Sequence, residues 1–253
     1  MSLKSLNLSS NKITPKGLTK LFETLSNNSN VPLTHLTLNN NDLEITKKSA
    51  SPSVYFAFKK SMVTYISQTK TLTHLNMASC IITKEIMRCI GEGLAKNVRL
   101  QSLNLSRNRI NINCIKEFIR SCYENNRLSL RHIDFSYNQI CDQAGFLLSK
   151  GLKFVKTLES LNFKSNSLAQ EAGDIILFMV KENRNITKCV LDINMIKPQV
   201  VTEIEKQCKA NKVMNAKIDL PQIRKEIKCL RKLRGKSSVD VIEKMNQQID
   251  QQS

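Results

Sequence analysis

The chain has 253 residues, with 39 Lys and Arg against 21 Asp and Glu, giving a formal net charge of +18. A hydrophobic share of 41% excludes wholesale disorder, and a compact fold of this length needs neither disulfide nor metal to hold it. No apolar run approaches the ~20 residues that span a bilayer, and the start Met1-Ser2-Leu3-Lys4 lacks the apolar stretch of a secretory leader, so an intracellular protein without a membrane span is expected.

The first element is read in LKSLNLSSNKI, residues 3–13, followed by Leu18, Leu21 and Leu25. Alternating Leu residues mark a short strand, and apolar steps of three and four mark one face of a helix. The same unit returns at LTHLTLNNNDL (33–43), but its helical slots reappear late, as Met62 and Ile66. An extra segment of about 44–57 is therefore expected as a loop, with Lys47, Lys48 and Tyr55 as candidate contacts, because loops on a rigid scaffold often carry binding.

Further units begin at Leu72, Leu100, Leu130, Leu158 and Ile186. Their helical slots are Met87, Ile90 and Leu94; Ile115, Phe118 and Cys122; Gly145, Leu148 and Leu152; Gly173, Ile176 and Val180; and Val201, Ile204 and Cys208. Each unit fits LxxLxLxx(N/C)xL. Asn11, Asn41, Asn108, Asn138 and Asn166 are expected to bond backbone groups where the chain leaves its strand, Cys80 takes that place in the third unit, and the seventh unit is read with its Asn shifted, at Asn194. A single unit cannot bury its apolar face, so stacking is obligatory. The predicted fold class is α/β: a solenoid of about seven strand–turn–helix repeats over residues 1–211, with a parallel concave sheet and outer helices. Leu3 already belongs to a strand, so the N-terminal end is expected to be covered by a partner, or the chain to be a fragment.

Residues 212–253 are read as a basic helical cap or tail. Asp219 and Pro221 signal a helix start, and Ile223, Ile227 and Leu230 follow one face. Arg224, Lys225, Lys228, Arg231, Lys232 and Arg234 concentrate charge there. Gly235-Lys236-Ser237 resembles the end of a phosphate loop, but Arg231 stands near where that motif needs a glycine.

This pattern resembles the ribonuclease-inhibitor-like subfamily of leucine-rich repeats, over residues 3 to about 211. The resemblance implies a solenoid that binds other proteins, although one scaffold serves many partners. The Lys-, Asn- and Gln-rich chain also looks like leucine-rich-repeat subunits of ciliary axonemes in protists. That likeness implies docking into a multi-subunit cytoskeletal assembly with acidic surfaces, such as microtubule or axonemal proteins, in the cytoplasm or cilium.

No chemistry-bearing constellation emerges. The eight cysteines show no zinc-site spacing and mostly occupy apolar slots. His35, His74 and His132 share one strand position, and His35 and His74 are expected about 5 Å apart, too few ligands for a metal. Neither cofactor nor enzymatic activity is expected. Partner contacts are placed on the outward strand positions Lys4, His35, His74, Arg131, His132, Lys164 and Lys188, a face near neutrality because Asp134, Glu159 and Asp192 oppose its cations. Most positive charge is then assigned to the convex helices and the edges, and most Phe residues to the core. Binding of RNA or a ribosome through that basic convex face and tail is the second reading, weakened by the scarcity of aromatics outside the core slots. A regulatory or inhibitory module is the third.

Overall fold

The computed structural model describes residues 3–28, 31–45 and 50–217. Within them the chain alternates strand and helix seven times: β1 (Ser5–Asn7), α1 (Pro15–Asn27), β2 (His35–Thr37), α2 (Pro52–Gln68), β3 (His74–Asn76), α3 (Lys84–Leu94), β4 (Ser102–Asn104), α4 (Ile112–Glu124), β5 (His132–Asp134), α5 (Asp142–Leu152), β6 (Ser160–Asn162), α6 (Gln170–Glu182), β7 (Lys188–Val190) and α7 (Pro198–Lys217). The strands form one parallel sheet in chain order, with each repeat in register on the next: Leu36 pairs with Leu75, and Leu103 with Ile133. This is the solenoid that the repeat spacing predicts. Strands lie about 4.8 Å apart and packed helices 8–10 Å apart, so one strand and one helix per repeat bend residues 3–212 with the sheet inside the curve.

The core is a continuous file of strand leucines and helix slots. Leu36, Leu75, Leu103, Ile133 and Leu161 are buried beneath the sheet, against Ile90, Phe118, Leu148 and Ile176 from the helices. Where the helices approach most closely the sequence places glycine: a Cβ on Gly91 would stand 2.6 Å from the Glu117 carbonyl oxygen.

Two asparagine ladders hold the turns. In the first, Asn108 donates through Nδ2 to the Met77 and Leu105 carbonyls (2.8 and 3.0 Å), and its Oδ1 accepts from the Cys80 and Ile82 amides (2.7 and 3.3 Å). Asn41, Asn138 and Asn166 bond in the same way, linking each repeat to its predecessor. Asn194 is not displaced: it donates to the Phe163 and Leu191 carbonyls in the same register, so the expected shift in the seventh repeat is wrong. It stands eight residues after Ile186, as Asn11 does after Leu3.

The second ladder lies where helices return to the sheet. Asn97, Asn125, Asn183 and Asn211 are buried and donate to carbonyls of the preceding repeat, such as Ile66, Leu94, Leu152 and Val180. Each follows its repeat's first apolar residue by 25 positions, as Asn97 follows Leu72. A scan for apolar periodicity passes over this signal.

The long second repeat also departs from expectation. Only residues up to 51 are candidates for a loop: Ser51 caps α2 by accepting from the Val54 amide, Pro52 sits in its first turn, and the helix runs 17 residues. Tyr55 and Phe58 are buried in its added length, and Tyr65 stacks on Phe22 with ring centroids 4.8 Å apart. At the other end, α7 runs to Lys217, and the compact repeat unit ends at Lys212, next to the boundary expected after residue 211.

Candidate functional site

Side chains that point away from the core at β1–β7 form two rows across the sheet. The first row is Ser5, His35, His74, Ser102, His132, Ser160 and Lys188, paired strand to strand in that order. The His35 and His74 rings stack at 4.1 Å between centroids, with planes 11° apart, close to the separation that the pairing implies. Their Nδ1 atoms lie 2.9 and 2.8 Å from the hydroxyls of Thr34 and Thr73. Parallel rings aim their lone pairs side by side rather than at one point, which suits contact with a partner better than chelation. Among the described residues no group of three His, Cys, Asp or Glu is arranged to hold a metal. Burial, with the neighbouring His35 and His132, holds the His74 pKa below the ordinary histidine value.

The second row is Asn7, Thr37, Asn76, Asn104, Asp134, Asn162 and Val190. Five of these cap their own strand: the Oδ1 atoms of Asn7, Asn76, Asn104, Asp134 and Asn162 accept from the amide two residues on at 2.8–3.0 Å. Sequence reasoning missed this role; its signal was the recurrent LN or ID pair inside each strand motif.

Of the other anticipated contacts, Lys4, His35, Arg131, His132 and Lys188 are exposed, and His74 and Lys164 are half-buried. Arg131 is paired with Glu159 of the next repeat, which cancels its charge on the face. Tyr55 is buried in α2, where burial pushes its hydroxyl pKa up, so it is not the loop contact expected of it. Lys47, Lys48, Arg224, Lys225, Lys228, Arg231, Lys232 and Arg234 lie outside the described residues.

The positive charge lies on an edge, as expected, but not on the helices. Helices α1–α6 carry ten Lys and Arg but also nine Asp and Glu, so the helical face is nearly balanced. Ion pairs tie neighbouring helices there: Lys59 to Glu92 at 2.7 Å, and Arg88 to Glu117 at 2.8 Å. Arg88 holds the Glu117 carboxyl below the usual carboxylate range. The excess collects in the turns that lead from helix to strand. Residues 67–71, 95–99, 125–129, 153–157 and 183–187 contain no acidic residue. Lys70, Lys96 and Arg99 are exposed in the first two of these turns, and Arg127, Lys156 and Arg184 in the rest, with Lys153 half-buried beside them. The turns on the opposite edge mix Lys12, Arg107 and Arg109 with Asp42, Glu44 and Asp192.

Five of the nine Phe residues, Phe22, Phe58, Phe118, Phe135 and Phe163, are buried as expected, but the rest are not. Phe56, Phe146, Phe154 and Phe178 are 38–66% exposed, and Tyr123 is 57% exposed. Tyr123 and Phe154 lie 6.1 Å apart by ring centroids, and the Lys153 ammonium stands 5.0 Å from the Phe154 centroid. Cysteine behaves as expected: Cys80, Cys89, Cys114, Cys122, Cys189 and Cys208 are buried, and burial pushes the Cys89 thiol up to about 12.

Seven repeats in a single parallel sheet, laced by asparagine at both turns, define a leucine-rich-repeat solenoid. Leucine-rich-repeat family models match residues 1–22 and 69–91, and a second such model matches residues 99–122. These matches fall on the first, third and fourth repeats. No curated protein sequence matches it. Among solved structures, the tropomodulin C-terminal domain from Caenorhabditis elegans shares the fold: TM-score 0.52 at 11% identity, covering 62% of this chain and 95% of that one. A structure titled Leiomodin-1 Actin-Binding Site 2 aligns with TM-score 0.45 and 16% identity, over 81% of this chain and 95% of that one.

Proposed function

We propose that this protein is a non-enzymatic interaction scaffold whose sheet face receives a partner protein. One observation carries the reading: the outward row from Ser5 to Lys188 runs in register over seven strands, and its side chains are not needed by the core. An extended polar row on a rigid sheet matches the needs of a protein contact, with directional groups already fixed in place. Stacked His35 and His74 supply apolar ring surface and polar ring nitrogens at the same spot. The finer reading is docking into a cytoskeletal assembly, in particular a ciliary one with acidic surfaces. Its support is the likeness of the chain to axonemal leucine-rich-repeat subunits and its charge of +18. Residues 212–253 are read as a separate basic segment that adds to the docking.

The test is affinity purification of the tagged chain from its native cells, with and without ribonuclease, beside a variant carrying His35→Glu, His132→Glu and Lys188→Glu. A ribonuclease-resistant set of cytoskeletal proteins that the variant loses, at unchanged circular dichroism, supports the reading. Retention of the same proteins by the folded variant removes the sheet face as the docking site.

A further inference from the structure

The helix-to-strand edge differs from every other surface of the repeats. Its five central turns hold only cations, while the helices beside them are balanced. These cations do not hang from mobile loops. The second asparagine ladder fixes the backbone beneath them: Asn97 Oδ1 accepts from the Arg99 amide at 2.8 Å, and Asn125 Oδ1 from the Arg127 amide at 2.9 Å. Arg99 also donates from Nε to the Lys70 carbonyl at 3.0 Å, which steadies one cation against the preceding turn. Among the described residues, Lys70, Lys96, Arg99, Arg127 and Lys156 have no carboxylate partner. Four of these turns therefore each deliver one or two cations without a carboxylate partner, on a rigid base.

Tyr123 and Phe154 interrupt this line. They end α4 and open the turn after α5, next to Arg127 and to Lys153 and Lys156. Both rings are more than half exposed and meet across the repeat boundary with their planes 55° apart. Apolar rings left in water beside a row of cations suit a polyanion that also carries flat faces. An acidic peptide satisfies the cations and leaves the rings wet. A single-stranded nucleic acid satisfies both, with phosphates along the cations and bases stacked on the rings.

We propose that the helix-to-strand edge of repeats two to six binds single-stranded nucleic acid, with Arg99, Arg127 and Lys156 on phosphates and Tyr123 and Phe154 stacking bases. This site is separate from the sheet face and needs none of its residues. Binding is backbone-driven and weakly selective for sequence, because the edge offers stacking rings and cations and no built pocket for a base edge.

The test uses the full chain and a fluorescent oligouridylate of about 20 nucleotides, long enough for more than one stacking site. Fluorescence anisotropy is read over a series of salt concentrations. An oligoglutamate of matched charge is the second probe. With Arg99→Glu, Arg127→Glu and Lys156→Glu combined, oligouridylate affinity is expected to fall at least about tenfold. The slope of log affinity against log salt should flatten by about 2, at ~0.7 for each phosphate that is no longer neutralised. The neutral set Arg99→Gln, Arg127→Gln and Lys156→Gln should give the same flattening if the reversed set fails to fold. Tyr123→Ala with Phe154→Ala should weaken oligouridylate about fivefold or more and leave oligoglutamate unchanged. Wild-type affinity in the folded charge variants would overturn the site. Equal binding of both probes, untouched by removal of the rings, would reassign the edge to an acidic protein. Capture of protein partners through the sheet face should survive all three edge variants, so the two proposals fail separately.

Discussion

Asn108 concentrates the chemistry of the repeat in one side chain. It is buried, and it bonds three carbonyls and two amides drawn from two successive repeats. Asn108→Ala strands those groups in the interior, where each unsatisfied group costs about 1–3 kcal/mol, less whatever water restores. A loss of about 2–4 kcal/mol is expected, read as a lower urea midpoint at unchanged slope. His74 makes a second prediction at this scale. Its folded pKa lies below the ordinary value near 6.5, so below that value the unfolded chain binds more protons than the folded one. Stability should therefore fall as pH drops from about 7 toward 5, and His74→Asn should flatten that decline in a melting series. The consensus asparagines and the paired histidines were legible because they recur at fixed offsets. Asn97, Asn125, Asn183 and Asn211 recur just as strictly, yet they sit among helix-end polar residues, where a search for apolar slots assigns no role. Tyr55 was misplaced for the opposite reason: a Ser/Pro stretch was read as a loop when Ser51 and Pro52 together are a helix start.

Among the elements, the helices were read correctly because their apolar steps of three and four are long enough to be unambiguous. The three-residue strands carry almost no periodicity of their own and were legible only through repetition. Glycine shows what a pattern of single residues cannot convey. Gly91 is one residue past the buried Ile90 slot and looks like a helix-weakening accident, since glycine costs a helix about 1 kcal/mol relative to alanine. In the fold it lets α3 and α4 approach until only a hydrogen atom fits: a methyl group there meets the Glu117 carbonyl oxygen at 2.6 Å. Gly91→Ala should therefore destabilise by about 1–3 kcal/mol despite the better helix propensity, because backbone must move to admit the methyl group. Calorimetry of that variant checks the sign; a gain in melting temperature would mean that the helices separate freely.

At the scale of the molecule, the total charge was plain from composition, but its distribution was not. Cations on helices were counted without the acids that neighbouring helices bring to them, as Glu92 meets Lys59 and Glu117 meets Arg88. Pairing across repeats is a three-dimensional property, so the basic edges were legible while the neutralised helical face was not. The exposed rings of Tyr123 and Phe154 escaped notice in the same way, since no linear spacing marks two rings that meet across separate turns. The ladders carry one more implication, for how such a chain changes length over generations. In all seven repeats, eight positions separate the first apolar residue from Asn or Cys80, from Leu3 to Asn11 through to Ile186 to Asn194. Repeat lengths nevertheless differ, and the surplus lies elsewhere: in the arc from Leu43 to Met62, and after Asn28 and Asn125. A codon gained or lost within the strand and its exit turn misaligns the sheet and the first ladder together, whereas one gained in the helical arc shifts only the second ladder, as in the long second repeat, where Thr69 stands in place of its asparagine. Insertions, deletions and exon joints in descendants of this gene should thus accumulate on the outer arc and in the helix-to-strand turns, and whole repeats should be the unit by which the sheet itself grows or shrinks.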